Sequence, residues 1–322
     1  MRTFLIDTDT ASDDAVALIM ALRHPDVNVA AITVVAGNVT VEQATRNALY
    51  VAELCGRTDV PVYSGAARPL VREPEHAQWF HGRDGLGDQN YPPPKSCCRT
   101  EHASDAIIET VHKHPGLTLV TLGPLTNVAL AISRAPDIAN SIARCVIMGG
   151  NPCCEGNVTP AAEYNIWVDP EAARIVLRSG MPAIELIGWQ LCRGEANLRE
   201  NDIAAVRAID TPLAHFAIDC NRVAMEANRI QSGEIGIALP DPVAMAVALD
   251  VSIATVASNH HVEIETASEL TRGQTVVDRL NVTGDERNRG VWNALARRDP
   301  NVRVVWSIDV PLWKQLLMRS LS

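Results

Sequence analysis

The sequence predicts an α/β fold in which a mostly parallel central sheet carries helices on both faces. Short apolar runs of strand length alternate with longer helical stretches along the 322 residues, a pattern typical of parallel sheets built from successive strand–helix units. Polar clusters follow several of the predicted strands, which is where ligands of such sheets bind. No linker composition divides the chain, so we expect one domain over residues 1–322.

Each predicted element rests on its pattern of apolar residues and on the turn or cap residues that flank it. The predicted strands are Thr3–Ile6, Val29–Val34, Thr118–Leu122, Arg144–Met148, Ala183–Ile187, His261–Glu265 and Val302–Val305. The predicted helices are Asp13–Arg23, Val41–Leu54, Ala103–His114, Leu125–Ala135, Pro170–Ser179, Pro242–Leu249 and Val310–Ser320. Residues 66–100 are expected to form a long loop over the site. Residues 195–240 are expected to be partly helical, as a mobile flap or as a simple surface excursion.

Composition is that of an ordinary soluble enzyme, with 47% hydrophobic and 20% charged residues. A net charge of −10 argues against nucleic acid as a partner, because phosphate binding requires clustered Lys and Arg. No apolar run reaches the roughly 18 residues of a membrane span. The chain enters a strand within a few residues, which leaves no room for a signal peptide. We therefore expect a cytoplasmic protein with no membrane partner, whose eight cysteines are reduced.

Four aspartates lie within eight residues at the first strand-to-helix turn: Asp7, Asp9, Asp13 and Asp14. Ser12 is a plausible N-cap, and the helix dipole favours one or two carboxylates in the first turn. It does not account for four, whose mutual repulsion would be severe without a cation. The turn therefore predicts a site for a hard cation with oxygen ligands, Ca²⁺ or Mg²⁺.

Other polar residues follow predicted strands or begin predicted helices, and each taken alone could be an ordinary cap or turn residue. Together they describe a pocket that binds a polyol beside a metal. These residues are Asn38 after Gly37, His81 in a glycine-rich loop, Asn157, Glu163, Asn165 and Asp241.

On these motifs the chain resembles the inosine–uridine-preferring nucleoside hydrolase family. The family's D-x-D-P-G-x-D-D-A motif corresponds to Asp7–Ala15, and its G-P-L-T-N turn corresponds to Gly123–Asn127. Its G-N-V-T-P-x-A-E-[FY]-N run corresponds to Gly156–Asn165, and its T-R-G-x-T-V element to Thr271–Val276. The resemblance extends from residue 3 to the C-terminus.

The resemblance implies the Rossmann-like nucleoside hydrolase fold and Ca²⁺-dependent cleavage of the N-glycosidic bond of ribonucleosides. It also implies a homodimer or homotetramer. The implied metal ligands are Asp9, Asp14, Asp241 and the main-chain carbonyl of Leu122. The implied ribose-binding residues are Asp13, Asn38, Asn157, Glu163 and Asn165, with Met148 nearby. Asp9 would also be the general base that deprotonates a water held by the metal. The preferred base stays open.

The sequence departs from the family pattern at two motif positions. Thr10-Ala11 replaces the usual Pro-Gly, so the first turn must form without the conformational freedom of glycine. Pro240 stands where many members place the histidine that protonates the leaving base, and proline cannot donate a proton. By family analogy His81 is the best replacement, with Arg222 or His215 as weaker candidates. The alternative is that no acid exists and His81 is only a loop residue.

The low aromatic content, 4%, predicts a thin surface for stacking the base.

Two other functions remain as alternatives. The run Leu5–Thr10 imitates the first strand of haloacid-dehalogenase-like phosphatases, with Asp7 as nucleophile, Asp9 as acid/base and Mg²⁺ as cofactor. That function would leave Asp13, Asp14 and the Gly156–Asn165 run unexplained. A non-catalytic nucleoside- or sugar-binding protein is the second alternative, since Pro240 replaces the acid. An intact Asp9 argues against it, because a general base has little use in a protein that only binds its ligand.

Overall fold

The strands of the protein form one large sheet and one small hairpin. The structure is a computed structural model, and it describes residues 1–288 and 299–322. The strands are β1 (Arg2–Thr8), β2 (Val27–Val34), β3 (Val62–Ser64), β4 (Leu117–Thr121), β5 (Ile142–Met148), β6 (Ile184–Ile187), β7 (Ala254–His260), β8 (Val262–Ile264), β9 (Thr275–Val277) and β10 (Val302–Ile308).

Helices connect most of these strands. They are α1 (Ser12–Arg23), α2 (Val41–Leu54), α3 (Gln78–His81), α4 (Ala103–Lys113), α5 (Thr126–Arg134), α6 (Ile138–Ser141), α7 (Tyr164–Val168), α8 (Pro170–Leu177), α9 (Glu200–Arg207), α10 (Pro212–Asp219), α11 (Arg222–Ser232), α12 (Pro240–Leu249) and α13 (Val310–Leu321). None of the described helices is long and apolar enough to cross a membrane.

The large sheet has eight strands in the order β3-β2-β1-β4-β5-β6-β10-β7. Every neighbouring pair is parallel except β10 and β7, which are antiparallel. Because β1 lies between β2 and β4, the residues that follow these three strands meet at one edge of the sheet. This order confirms the predicted mostly parallel sheet and explains how distant polar segments converge.

Helices cover both faces of the sheet, as the sequence predicts. Alternate residues of β1 point to opposite faces, so Phe4 and Ile6 join one apolar cluster and Leu5 joins the other. The first cluster includes α1, α2, α10, α12 and α13, and the second includes α4, α5, α6 and α8. Helices α1 and α12 are buried along almost their whole length, which is why their sequences are apolar on every side.

The predicted elements are found within a few residues, with three differences among the strands. His261–Glu265 does not join the central sheet, because β8 pairs only with β9 in a separate two-stranded sheet. Strand β7 was not predicted because it is a half-exposed edge strand without a buried apolar run. Strands β3 and β9 were missed because each has only three residues.

Candidate active site

Asp9 follows the central strand β1 and lies between two glycines that follow its neighbours. Oδ1 of Asp9 would be 2.6 Å from a Cβ added at Gly123, and a Cβ at Gly37 would overlap Oδ2. The main-chain N–H of Asn38 donates a hydrogen bond of 2.6 Å to Oδ2. Oδ1 is buried and has no hydrogen-bond partner in the part of the chain that the structure describes. The glycines at these strand ends therefore make room for the carboxylate of Asp9. A hydrogen bond fixes its Oδ2, and its Oδ1 is left unpaired by the described residues.

Helix α1 begins at Ser12, one residue earlier than it would if Ser12 were its N-cap. Ala11 is the N-cap, and its N–H donates to Oδ2 of Asp14 at 2.9 Å, while Thr8 Oγ1 donates to Oδ1 of Asp14 at 2.5 Å. Ser12 is the first helical residue, so its predicted role as N-cap is wrong. Ala11 has a φ of −110°, which any residue adopts, so this turn does not need glycine.

Three buried carboxylates lie close together at this turn. Oxygen atoms of Asp13, Asp14 and Asp241 lie within 4.8 Å of one another. Burial raises the pKa of Asp13 and that of Asp14 to about 6, and the charge of Asp13 adds to the shift at Asp14. Burial raises the pKa of Asp241 well above its usual range, with further contributions from Asp13, Asp14 and Asp9. Such a cluster is able to bind a metal ion.

The burial and the charge of these carboxylates suit a hard divalent cation. Carboxylates that are buried together are costly when ionised, and a bound cation removes that cost. Oδ1 of Asp9 and Oδ1 of Asp13 are both buried without hydrogen-bond partners. Burial also raises the pKa of Asp9 well above its ordinary value, and Asp14 raises it further. Unpaired oxygens and crowded negative charge are what an oxygen-ligated cation requires, so the site fits the expected metal.

Asn165 connects the ends of two neighbouring strands beside this cluster. Its Nδ2 donates to the carbonyl of Leu122 after β4 at 2.7 Å, and lies 3.3 Å from the carbonyl of Met148 at the end of β5. Asn165 is the second residue of α7, which Glu163 caps by accepting from the N–H of Asn165 at 2.9 Å and of Ile166 at 3.2 Å. Asn165 and Glu163, both predicted to bind the sugar, are thus held in place by the ends of β4 and β5 and by the start of α7.

The run before α7 is held in the same way. Oε2 of Glu163 accepts the N–H of Gly150 at 2.8 Å, and Oδ1 of Asn157 accepts the N–H of Tyr164 at 2.9 Å. Burial raises the pKa of Glu163. These bonds hold the loop from Gly156 against the end of β5.

One pocket, partly open to solvent, collects nearly all of the predicted site residues. Its predicted lining residues are Asp13, Asn38, His81, Leu122, Met148, Asn157, Glu163, Asn165 and Asp241. Asp9 and Asp14 are fully buried and adjoin this wall from the protein side. The polar residues expected at the strand ends therefore do lie around one cavity.

The pocket also contains residues that the sequence did not indicate. Four aromatic side chains line it, so the low aromatic content does not extend to the site: Trp79, Phe80, Tyr164 and Trp189. They come from three separate segments, and of the four only Tyr164 lies in a quoted motif, the Gly156–Asn165 run. Helix α11 adds Asn228 and Gln231, which lie three residues apart on one helical face. The expected thin aromatic surface is thus wrong for the pocket.

The α11 residues have different partners. The Gln231 side-chain amide donates to the carbonyl of Asn157, which also lines the pocket. Asn228 is only 6% exposed, and its Nδ2 has no hydrogen-bond partner among the described residues. Residues 195–240 therefore contribute a wall of the pocket through α11.

His81 ends the short helix α3 and is buried in the pocket, not exposed in a loop. Its Nδ1 lies 2.8 Å from Oγ of Ser12 and 3.7 Å from Oδ1 of Asp13. Burial lowers the pKa of His81 to about 4, so the imidazole is neutral at physiological pH. His215 instead bonds Oδ1 of Asp210 at 2.9 Å on an exposed surface. Neither His215 nor Arg222 lines the pocket.

Asp7, the nucleophile of the phosphatase alternative, does not line the pocket. Its Oδ1 accepts Oγ1 of Thr33 at 2.6 Å and Nδ2 of Asn127 at 2.9 Å beneath the sheet edge. A carboxylate held in that way cannot reach a substrate in the cavity.

Comparison with known proteins gives this geometry a family. The sequence profile described as inosine-uridine preferring nucleoside hydrolase matches residues 4–315. The chain belongs to this family. Among its relatives is the pyrimidine-specific ribonucleoside hydrolase RihA of Shewanella sp. (strain MR-7), 40% identical over 299 residues, or 92% of this chain and 93% of the relative. RihA of Salmonella enteritidis PT4 (strain P125109) is 39% identical over 289 residues, or 89% and 92% of the two chains.

Solved structures agree with this membership. The plant nucleoside hydrolase PpNRh1 superposes with a TM-score of 0.91 at 31% identity, covering 99% of this chain and 98% of its own. The inosine-guanosine nucleoside hydrolase IG-NH gives a TM-score of 0.89 at 30% identity, covering 100% and 99%. The protein is therefore an N-glycosyl hydrolase of ribonucleosides with the nucleoside hydrolase fold. Both alternatives, the phosphatase and the non-catalytic binder, are wrong.

Proposed function

We propose that this nucleoside hydrolase cleaves the N-glycosidic bond with the help of one bound Ca²⁺. The observation that supports the proposal is the cluster of the buried carboxylates of Asp13, Asp14 and Asp241. Oδ1 of Asp9 and Oδ1 of Asp13 have no hydrogen-bond partner among the described residues. Asp9, Asp14, Asp241 and the carbonyl of Leu122 would hold the ion. When bound, the ion would lower the pKa of water at this position and orient the sugar hydroxyls.

Asp9 has the geometry of a general base. One oxygen is fixed by the N–H of Asn38, which leaves Oδ1 to accept a proton from the attacking water. The glycines on both sides exclude bulkier groups from the space around this carboxylate.

The ribose would be held by the polar residues of the wall. We assign this role to Asp13, Asn38, Asn157, Glu163 and Asn165, with Met148 beside them. Cleavage of such a bond passes through an oxocarbenium-like sugar cation. The carboxylates of Asp13 and Glu163 would stabilise that positive charge, and they would do so in a site whose side chains are already fixed.

The leaving base would need a donor other than Pro240. His81 remains our proposed acid, and its neutral ring would then have to act as a hydrogen-bond donor or be protonated from solvent. The unpaired Nδ2 of Asn228 is a second donor in the same pocket. The four aromatic residues would pack against the base.

We further propose pyrimidine ribonucleosides as the first substrates to test, because the RihA relatives are described as pyrimidine-specific. A homodimer or homotetramer in the cytoplasm remains our expectation for the assembly and its location.

The decisive experiment measures ribose release from uridine, cytidine, inosine and adenosine by the purified protein. The protein is assayed as isolated, after removal of metal with EDTA, and after addition of Ca²⁺ or Mg²⁺. We expect activity to disappear with the metal and to return with Ca²⁺. Full activity in protein shown by elemental analysis to contain no divalent ion would overturn the metal proposal.

A further inference from the structure

Helix α12 carries Asp241 near its N-terminus, and its C-terminus is held by two arginines from strands β1 and β5. Arg144 in β5 donates from Nη1 to the carbonyl of Ala248 and from Nη2 to the carbonyl of Val247, both at 3.0 Å. Arg2 in β1 donates to the carbonyls of Ala248 at 3.0 Å and of Leu249 at 2.7 Å. The two guanidinium groups thus satisfy carbonyls that the helix itself cannot.

Arg144 is itself fixed by a third strand. Its Nε and Nη2 pair with the two carboxylate oxygens of Glu185 in β6, at 3.1 and 2.9 Å. The Arg144 side chain is 16% exposed and that of Glu185 is 10% exposed, so this bidentate pair is largely shielded from solvent. A guanidinium that is held by a carboxylate on one side presents its remaining N–H groups in a fixed direction.

These contacts couple the end of the helix to the strands that form the site. β1 leads directly to Asp9, and β5 ends at Met148. A ten-residue helix is about 15 Å long and behaves as a rigid rod. A sliding of α12 along its axis would therefore move Asp241 by the same distance relative to Asp9 and Asp14. The positive groups at the C-terminus also complement the helix dipole.

We infer that Arg144, with Glu185 and Arg2, is a positioning residue that fixes Asp241 at the metal site through α12. The inference rests on the proposed function, in which Asp241 is a metal ligand. Arg144 contacts neither the pocket nor the carboxylate cluster, so it acts only through the position of the helix.

The chain offers a matched control in Arg178. This residue follows α8 and pairs with Glu263 in β8 through Nε at 3.1 Å and Nη2 at 2.8 Å. The pair has the same bidentate chemistry but donates to no carbonyl of α12, and neither residue lines the pocket. Loss of either arginine removes one bidentate ion pair, and only the loss of Arg144 releases the end of α12.

The experiment compares Arg144→Met, Arg144→Lys, Arg2→Met and Arg178→Met in the full-length protein. Ca²⁺ affinity is measured by calorimetry and by the luminescence of bound Tb³⁺, and Tm is measured in EDTA. We expect Arg144→Met to weaken Ca²⁺ binding on the order of 10- to 100-fold, as for other residues that orient metal ligands. Arg2→Met should weaken it less, and Arg178→Met should lower Tm while its affinity stays within about twofold of wild type.

Arg144→Lys keeps the positive charge but loses the planar set of guanidinium N–H donors. This variant replaces Arg144→Met in the test if Arg144→Met does not fold. It should still weaken Ca²⁺ binding, and a wild-type affinity in that variant would overturn the inference. Equal weakening in Arg178→Met would also overturn it, because the effect would then be a general loss of stability. If the wild-type protein binds no Ca²⁺, the proposed metal site fails as well. Tight wild-type binding with an unchanged Arg144→Met affinity refutes the positioning role alone.

Discussion

The side-chain amide of Asn165 donates a hydrogen bond of 2.7 Å to the main-chain oxygen of Leu122. The first residue is a proposed sugar ligand and the second a proposed metal ligand, so the two halves of the site share one hydrogen bond. Because Nδ2 is committed to Leu122, Oδ1 is the amide atom left to accept a sugar hydroxyl. Sugar binding and metal binding should therefore depend on each other at this residue.

The sugar pocket should discriminate strongly against a missing hydroxyl. Buried polar groups such as Asp13 and Asn165 lose a partner when the substrate lacks the group they bind. We expect kcat/KM for uridine to exceed that for 2′-deoxyuridine by a factor on the order of 10² or more. Steady-state kinetics on the two nucleosides measure this directly. Comparable values would mean that these residues do not bind the 2′-hydroxyl.

Asp14→Asn should separate metal binding from folding. The substitution keeps the shape of the side chain and removes one of three neighbouring buried charges. The amide oxygen can still accept the N–H of Ala11, and the amide N–H can donate to Oγ1 of Thr8, so the metal-free variant should fold with a Tm close to that of metal-free wild type. Ca²⁺ binding and ribose release should fall by about 10²-fold or more. Calorimetry with Ca²⁺ and thermal unfolding in EDTA give the two readouts.

Asp26→Asn at an exposed position is the matched control for that variant and should change neither readout. A wild-type Ca²⁺ affinity in Asp14→Asn would remove Asp14 from the ligand set.

The parts of the site that sequence reasoning found are those encoded by short local patterns. Asp9 and Leu122 directly follow strands, and Asn38 lies in the turn after β2. The sequence also shows the glycines beside Asn38 and Leu122, where a larger residue would collide with Asp9. The order of the strands then brings them together.

The parts that it missed depend on tertiary packing. Asn228 lies within a helix without a motif, and only the packing of α11 over the pocket gives it a role. Trp79 and Trp189 come from segments with little regular structure, so no periodicity indicates where their rings lie. Ser12 looked like an N-cap because its residue type is typical of one, but Asp14 accepts the N–H of Ala11 and starts the helix there. The burial of His81 likewise follows from its contact with Ser12, far away in sequence.

The identity of the group that protonates the leaving base can be tested with an activated substrate. A p-nitrophenyl riboside leaves without protonation, whereas a nucleobase needs a donor that typically contributes roughly 10²- to 10⁴-fold. If His81 is the acid, His81→Ala should depress uridine hydrolysis in this range and leave the p-nitrophenyl substrate nearly unchanged. Equal loss on both substrates would assign His81 to the sugar or to the structure of the pocket.

Asn228→Leu provides the second arm of this test, since it removes the unpaired Nδ2 at nearly constant volume. A selective loss on uridine in this variant, with none in His81→Ala, would mean that a hydrogen bond from Asn228 stabilises the departing base and that His81 does not protonate it. No loss in either variant would mean that the base leaves without help from these two residues.

Restoring the family's histidine should make the enzyme faster on natural nucleosides. Pro240 is the first residue of α12 and lines the pocket next to Asp241. The N–H of the first residue of a helix has no partner within the helix, so a histidine at this position breaks no helical hydrogen bond. We expect Pro240→His to raise kcat for uridine by about tenfold or more, since a positioned acid lowers the barrier for a poor leaving group. The p-nitrophenyl riboside should be cleaved at the wild-type rate, and Ca²⁺ affinity should not change because Asp241 keeps its place.

Pro240→Ala controls for the loss of proline and should not be faster than wild type on either substrate. If Pro240→His gains nothing over Pro240→Ala, another donor already protonates the base, and combining Pro240→His with His81→Ala then shows whether that donor is His81. Recovery of uridine hydrolysis in the double variant would identify the two histidine positions as alternative places for one acid.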